Sequence, residues 1–138
     1  MGCKLVVGGC SMKHLLVVAL FGMVAPGVSA AAQPAPLLEQ SLPDLPGKEM
    51  ALVEVTLPPG GASPAHRHNA HVVVYVLEGS IVMKVKGQPA QTLGVGQTYY
   101  EKPSDIHTVG RNASATSPAR FLAFFVKSKG APRTVPVK

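Results

Sequence analysis

The most constraining feature of the chain is a pair of apolar segments folded around one tight turn. Val72-Val73-Val74-Tyr75-Val76-Leu77 is unbroken, Glu78-Gly79 ends it, and Ile81, Val82, Met83 and Val85 return with Lys84 and Lys86 interleaved. β-Branched side chains favour pleated backbone, and a glycine between two such runs reads as a hairpin. The first run has no polar alternation, so burial on both faces is expected. Shorter strand-like pieces at residues 50–57, 92–93, 98–101, 107–109 and 120–126 are separated by Pro58-Pro59-Gly60-Gly61, Gly94, Gly96, Pro103 and Pro118. Eight or so short strands and no amphipathic helix imply an all-β protein, a small antiparallel barrel or sandwich. A fully apolar strand in so small a domain also implies a homodimer.

Residues 1–30 read as an address. Lys4, Lys13 and His14 precede an apolar run over residues 15–24, Pro26 breaks it, and Val28-Ser29-Ala30 follows. This is the layout of a bacterial-type secretory signal peptide cleaved after Ala30, which implies a periplasmic or secreted protein. The run is about 10 residues long where a membrane-spanning helix needs roughly 20, so no transmembrane segment is expected after processing. Removing residues 1–30 takes both cysteines and two of the 13 basic residues, so the formal charge falls from +6 to +4. A cysteine-free domain suits an oxidising compartment. Lys84, Lys86, Lys127 and Lys129 alternate along strand-like segments and are expected on a solvated sheet face. No basic cluster interleaves with aromatics, which argues against nucleic acid as a partner. Residues 31–47, rich in Ala, Pro and Gln, read as a linker or extended arm. Residues 48–128 form the barrel, and 129–138 a C-terminal tail.

The chemistry lies in the histidines. His66 and His68 are two apart, so on a strand their rings share a face and can share a metal. His71 has the opposite parity, and Arg67 between the pair should face outward. A third ligand has to come from another strand, and His107 is the obvious donor. Alone, an H-x-H pair is equally well a pair of solvated histidines.

The surrounding spacing favours the ligand reading. Gly60, His66, His68, Val72 and Gly79 resemble the first motif of the cupin superfamily, G-x5-H-x-H-x3-E-x6-G, with valine in place of glutamate. Sixteen residues later, the segment from Gly96 resembles the second motif, G-x5-P-x-G-x2-H-x3-N. Its proline position is Lys102, its glycine position Ser104, its histidine His107 and its asparagine position Arg111, next to Asn112. The likeness is to small single-domain, RmlC-like cupins and covers about residues 48–128. It implies a jelly-roll barrel, or double-stranded β-helix, that is often dimeric and holds one divalent metal on His66, His68 and His107.

Val72 is the informative departure, since no carboxylate can bind from there. The expected ligand set is three neutral imidazoles, which leaves the metal's charge of about +2 uncancelled and keeps positions open for water, dioxygen or an anionic ligand. Three-histidine cupins elsewhere in the superfamily include iron(II) dioxygenases, so iron(II) is favoured, while zinc, manganese, nickel and copper also accept imidazole. Glu101 reads either as a fourth ligand or acid–base group, the candidate catalytic residue, or as a surface charge beside Lys102. Glu78 reads as a turn residue. Tyr75, Tyr99 and Arg111 are candidates to contact a small-molecule ligand, against plain roles as barrel wall or salt bridge. Met83, Phe121, Phe124 and Phe125 read as core, or as closing the barrel or a dimer face. The functional expectation is an exported metal-binding cupin, with a dioxygenase of small oxygen- or sulfur-bearing substrates as the sharpest form. A non-catalytic binding module and a metal-free structural barrel are the alternatives.

Overall fold

The computed structural model describes residues 31–137. The expected signal peptide lies outside the described residues. Two antiparallel sheets enclose the core. One carries β1 (Gln33–Ser41), β2 (Lys48–Leu57), β10 (Ala119–Ser128), β5 (His71–Glu78) and β8 (Thr98–Glu101) in that order. The other carries β11 (Val135–Pro136), β4 (His66–Arg67), β9 (His107–Asn112), β6 (Ser80–Val85) and β7 (Gln91–Gly94), with β3 (Ala62–Ser63) also paired to β9. This is the all-β double-stranded β-helix expected from the strand pattern.

The turn at Gly79 is not the hairpin expected: β5 pairs with β10 and β8 in one sheet and β6 with β9 and β7 in the other, so the chain turns a corner between the sheets there. Gly79 sits there with φ of +69°, and a Cβ on it would lie 2.7 Å from the carbonyl oxygen of Pro118. The position therefore demands glycine on conformational and steric grounds. Inward residues of both sheets meet in one cluster that includes Val53, Val72, Val74, Ile81, Met83 and Phe125. Each such side chain, fully buried, contributes about 1.5–3 kcal/mol relative to exposure.

Two further expectations need correction. The apolar run of β5 is not buried on both faces: Val72, Val74 and Val76 face the core, but Val73 and Tyr75 are 40% and 44% exposed. Antiparallel sheets are commonly covered on one face only, and β5 follows that rule within one chain. Lys127 does not lie on a solvated face; it is 3% exposed. It shares the inward parity of Phe121, Ala123 and Phe125 on β10. Residues 33–41 are an extended arm laid on the sheet: β1 pairs with β2 from Gln33↔Thr56 to Ser41↔Glu49, with one irregularity between Pro36 and Leu38. The tail is ordered as well: β11 pairs Val135 with Arg67 and Pro136 with His66.

Candidate metal centre

The site is built where the two sheets converge. β4 ends at Arg67, His68 follows, and Asn69 takes a left-handed φ of 50°, a conformation asparagine tolerates. That turn sends His71 outward, where its Nδ1 lies 2.6 Å from the Tyr100 hydroxyl. His66 is the direct cross-strand partner of His107 on β9, which stacks their rings with centroids 5.2 Å apart. The opposite sheet contributes Glu101, from the end of β8.

Hydrogen bonds fix two of the rings. His66 Nδ1 donates to the carbonyl of Pro64 at 2.8 Å, and His68 Nδ1 donates to that of Arg133 at 2.6 Å. A neutral imidazole that donates from Nδ1 presents a lone pair at Nε2. The two Nε2 atoms are 3.2 Å apart. Glu101 Oε2 lies 3.2 Å from His68 Nε2 and 2.7 Å from His107 Nε2. Glu101 is 2% exposed and His107 1%, yet neither Glu101 Oε2 nor His107 Nε2 has a hydrogen-bond partner. Burial is the main cause that pushes the His68 pKa below its usual value; Glu101 and the Arg133 carbonyl pull the other way, and His66 and His107 add to the lowering. His68 is thus held neutral, the form that binds metal.

The donor set fits a divalent cation. One ligand atom from each of His68, Glu101 and His107 falls within 4.8 Å of the others, and His66 adjoins through His68. Three imidazoles and a carboxylate suit iron(II), manganese, zinc, nickel or copper. The expectation of a carboxylate-free ligand set therefore changes: Glu101 is no surface charge but points into the cluster. The reason lies in the sheet. Val72 and Glu101 are direct cross-strand partners on β5 and β8 and so share a face. The carboxylate missing at position 72 is present one strand away.

A cavity of about 580 Å³ opens beside the cluster, within the usual range for small-molecule sites. Its wall is mostly apolar, with Val53, Val55, Met83 and Phe121 among the lining residues, and it continues along residues 131–134. Phe125 meets the His68 ring edge-on at 5.2 Å. Of the other candidates, Tyr99 faces inward and meets His107 edge-on at 6.4 Å. Its hydroxyl pKa is raised, chiefly by burial and then by Glu101. Tyr75 is not brought to the cluster, because it occupies the outer face of β5. Arg111 is also exposed, and its Nη1 donates to the Asn112 carbonyl. The neighbouring Asn112 is buried and its amide donates to the carbonyls of Leu57, Pro58 and Ser117, so it ties loops together. Sequence reasoning missed the part of Arg133, whose contribution is a backbone carbonyl and leaves no side-chain signature.

A family model for the cupin domain matches residues 53–125. The chain belongs to the cupin family. Among solved structures, this cupin is 30% identical to TT1209 from Thermus thermophilus, over 70% of this chain and 84% of that one, with a TM-score of 0.58. It is 15% identical to an uncharacterized conserved protein with a double-stranded β-helix domain from Klebsiella pneumoniae, over 82% and 90% of the two chains, with a TM-score of 0.63. It is 23% identical to the DMSP lyase DddQ from Ruegeria pomeroyi, over 64% of this chain, with a TM-score of 0.56. The match spans 43% of the lyase, so the likeness is one of fold. No curated protein sequence gives a significant match. No helix among the described residues is long and apolar enough to cross a membrane.

Proposed function

We propose that this cupin is an exported, mononuclear-metal dioxygenase acting on a small oxygen- or sulfur-bearing substrate, with His66, His68, His107 and Glu101 as ligands and iron(II) as the favoured metal. One observation carries the reading. The Nε2 lone pairs of His66 and His68 face each other at 3.2 Å, and the buried Oε2 of Glu101 lies 3.2 Å from His68 Nε2 and 2.7 Å from His107 Nε2 without a hydrogen bond to either. Acceptors packed this way, out of water, repel one another unless a cation lies among them. The bound metal would supply Lewis acidity and a path for electrons. The chain's own residues do the rest. The carbonyls of Pro64 and Arg133 aim the imidazoles, and the apolar wall excludes water. The likeness to a lyase supports an enzymatic role by fold analogy alone.

Elemental analysis tests the reading. Residues 31–138, purified without a histidine tag, should carry near-stoichiometric metal, and the His66→Ala/His68→Ala variant should carry none. The iron-loaded protein should consume dioxygen with at least one member of a panel of catechols, flavonols, diketones and thiols. A protein that takes up no metal sinks the metal centre; a metal-loaded protein that leaves every panel member intact sinks the dioxygenase. Export is read from the intact mass of the periplasmic or secreted protein, which should begin at Ala31.

The protein further acts as a homodimer in this proposal. Leu38, Leu52, Phe124, Val73 and Tyr100 are successive cross-strand partners across all five strands of one sheet. They form an apolar row on its outer face, and Leu38, Val73 and Tyr100 are exposed in the single chain. Such a face is suited to covering by its own copy about a two-fold axis. Light scattering should give the mass of two chains for the wild type and of one chain for Phe124→Glu.

A further inference from the structure

A buried ion pair stands on the wall of the same cavity, where Lys127 is a lining residue. Lys127 Nζ pairs with Glu49, lies 3.5 Å from Glu39 Oε1 and donates to the Ala131 carbonyl at 2.8 Å. The same Glu49 accepts from the Gly130 backbone N–H at 3.1 Å. The two side chains thus grip one tight turn from both sides. Ser128 and Ala131 close that turn at 3.0 Å, and Gly130 takes a left-handed φ of +72°. Beyond it the chain is committed. The Arg133 carbonyl meets His68 Nδ1, Pro136 pairs with His66, and the Val137 N–H donates to the Ala65 carbonyl. Residues 131–136 therefore form a strap from the ion pair past one metal-ligating ring to the strand that carries another. The strap holds few contacts of its own, since β11 has only two residues.

A buried ion pair is seldom more stabilising than apolar residues of the same volume. Its distinctive effect here is where it puts the turn. We propose that Lys127 is a positioning residue of the metal centre: with Glu49 it anchors the strap 131–136, and the strap aims the His68 ring so that Nε2 faces Glu101 and His107. The proposal rests on the metal-site reading above. It predicts that the anchor can be removed without unfolding the barrel and that the site then loosens.

The test replaces the pair with apolar residues, Glu49→Leu/Lys127→Met, which leaves no unpaired buried charge. A second variant ends the chain after Gly130 and removes the strap itself. Arg120→Met is the control, because Arg120 lies on the same strand and, among the described residues, its side chain bonds the side chains of Glu54 and Glu78 and not the strap. Two readouts are taken. Cobalt(II) titration, followed by visible absorption, gives the metal affinity. Proton–nitrogen NMR of the metal-free protein reports whether the His68 Nδ1–H is held. The expected result is a double variant that melts near the wild type but binds cobalt about 10–100-fold more weakly, the range for outer partners of a ligating histidine. The truncated chain should show the same loss, both variants should lose the protected Nδ1–H, and Arg120→Met should lose neither. Cobalt affinity within about threefold of wild type in either variant overturns the proposal. If the wild type itself binds no cobalt, the metal reading falls and the NMR signal decides the strap: an Nδ1–H that stays protected in both variants overturns the anchoring, and its loss upholds it.

Discussion

Glu49 and Glu101 are both carboxylates taken out of water, and they differ in what neutralises them. Glu49 has its cation within the chain: Lys127 holds it, and the Gly130 N–H adds a second donor. Its pKa is lowered, with the hydrogen bond from Lys127 as the largest cause. Glu101 is surrounded by imidazole nitrogens, and its Oε2 has no hydrogen bond at all. One carboxylate is complete as the protein folds, and the other is complete only when something positive arrives. Burial alone therefore does not mark a functional acid; burial without an internal counter-charge does.

The comparison can be broken most directly at Glu101. Glu101→Gln keeps the shape and removes the charge, and cobalt affinity should fall by more than about 100-fold, beyond what an outer partner is worth. Metal at about 100 times its Kd should stabilise the wild type by about 2.7 kcal/mol, and the variant should gain less than about 0.4 kcal/mol in a thermal melt at the same concentration. An unchanged affinity would make the two carboxylates alike. A transposition sharpens the point. Glu101→Ala should lose metal, and adding Val72→Glu should bring affinity back to within about tenfold of wild type, because both positions face the same point from adjacent strands. Failure of the double variant would mean that the site needs the carboxylate from β8 alone.

Smaller effects concern Glu49. Its folded pKa lies below 4.5, so the stabilisation it gives is fully present above that value and is lost as pH falls through the folded pKa. Thermal melts across the acid range should show a limb that flattens in Glu49→Gln. An identical limb in that variant would place the acid sensitivity elsewhere. The smallest effect is expected at the other end of β10. Arg120 bridges Glu54 and Glu78 in a half-exposed cluster, and surface pairs of this kind contribute little. Arg120→Met should melt with the wild type and keep its response to pH.

Much of this was legible along the chain because strand parity is simple. The pair His66 and His68, the return of His107 and the turn at Gly79 follow from a period of two and from turn residues, but nothing local tells a hairpin from the corner between sheets that Gly79 makes. Glu101 has two readings in the sequence because its meaning depends on a neighbour 29 positions away, Val72, which only strand pairing brings opposite. Lys127 was misplaced for a different reason. On β10, Phe121, Ala123 and Phe125 face inward while Leu122, Phe124 and Val126 face outward, and two apolar faces give no sign of which one a lysine joins. Val73 and Tyr75 misled in the same way. The strap went unread because Arg133 acts through its backbone, and two residues of strand ending in proline carry almost no propensity.

The pairing of Val72 with Glu101 has a consequence for how ligands are inherited. In a barrel, a metal is addressed by two coordinates, position along a strand and choice of strand, and a linear pattern records only the first. A carboxylate can migrate sideways to the rung opposite and still reach the same point in space. Barrels that look as though they have lost an acidic ligand are then better searched across the ladder than along it.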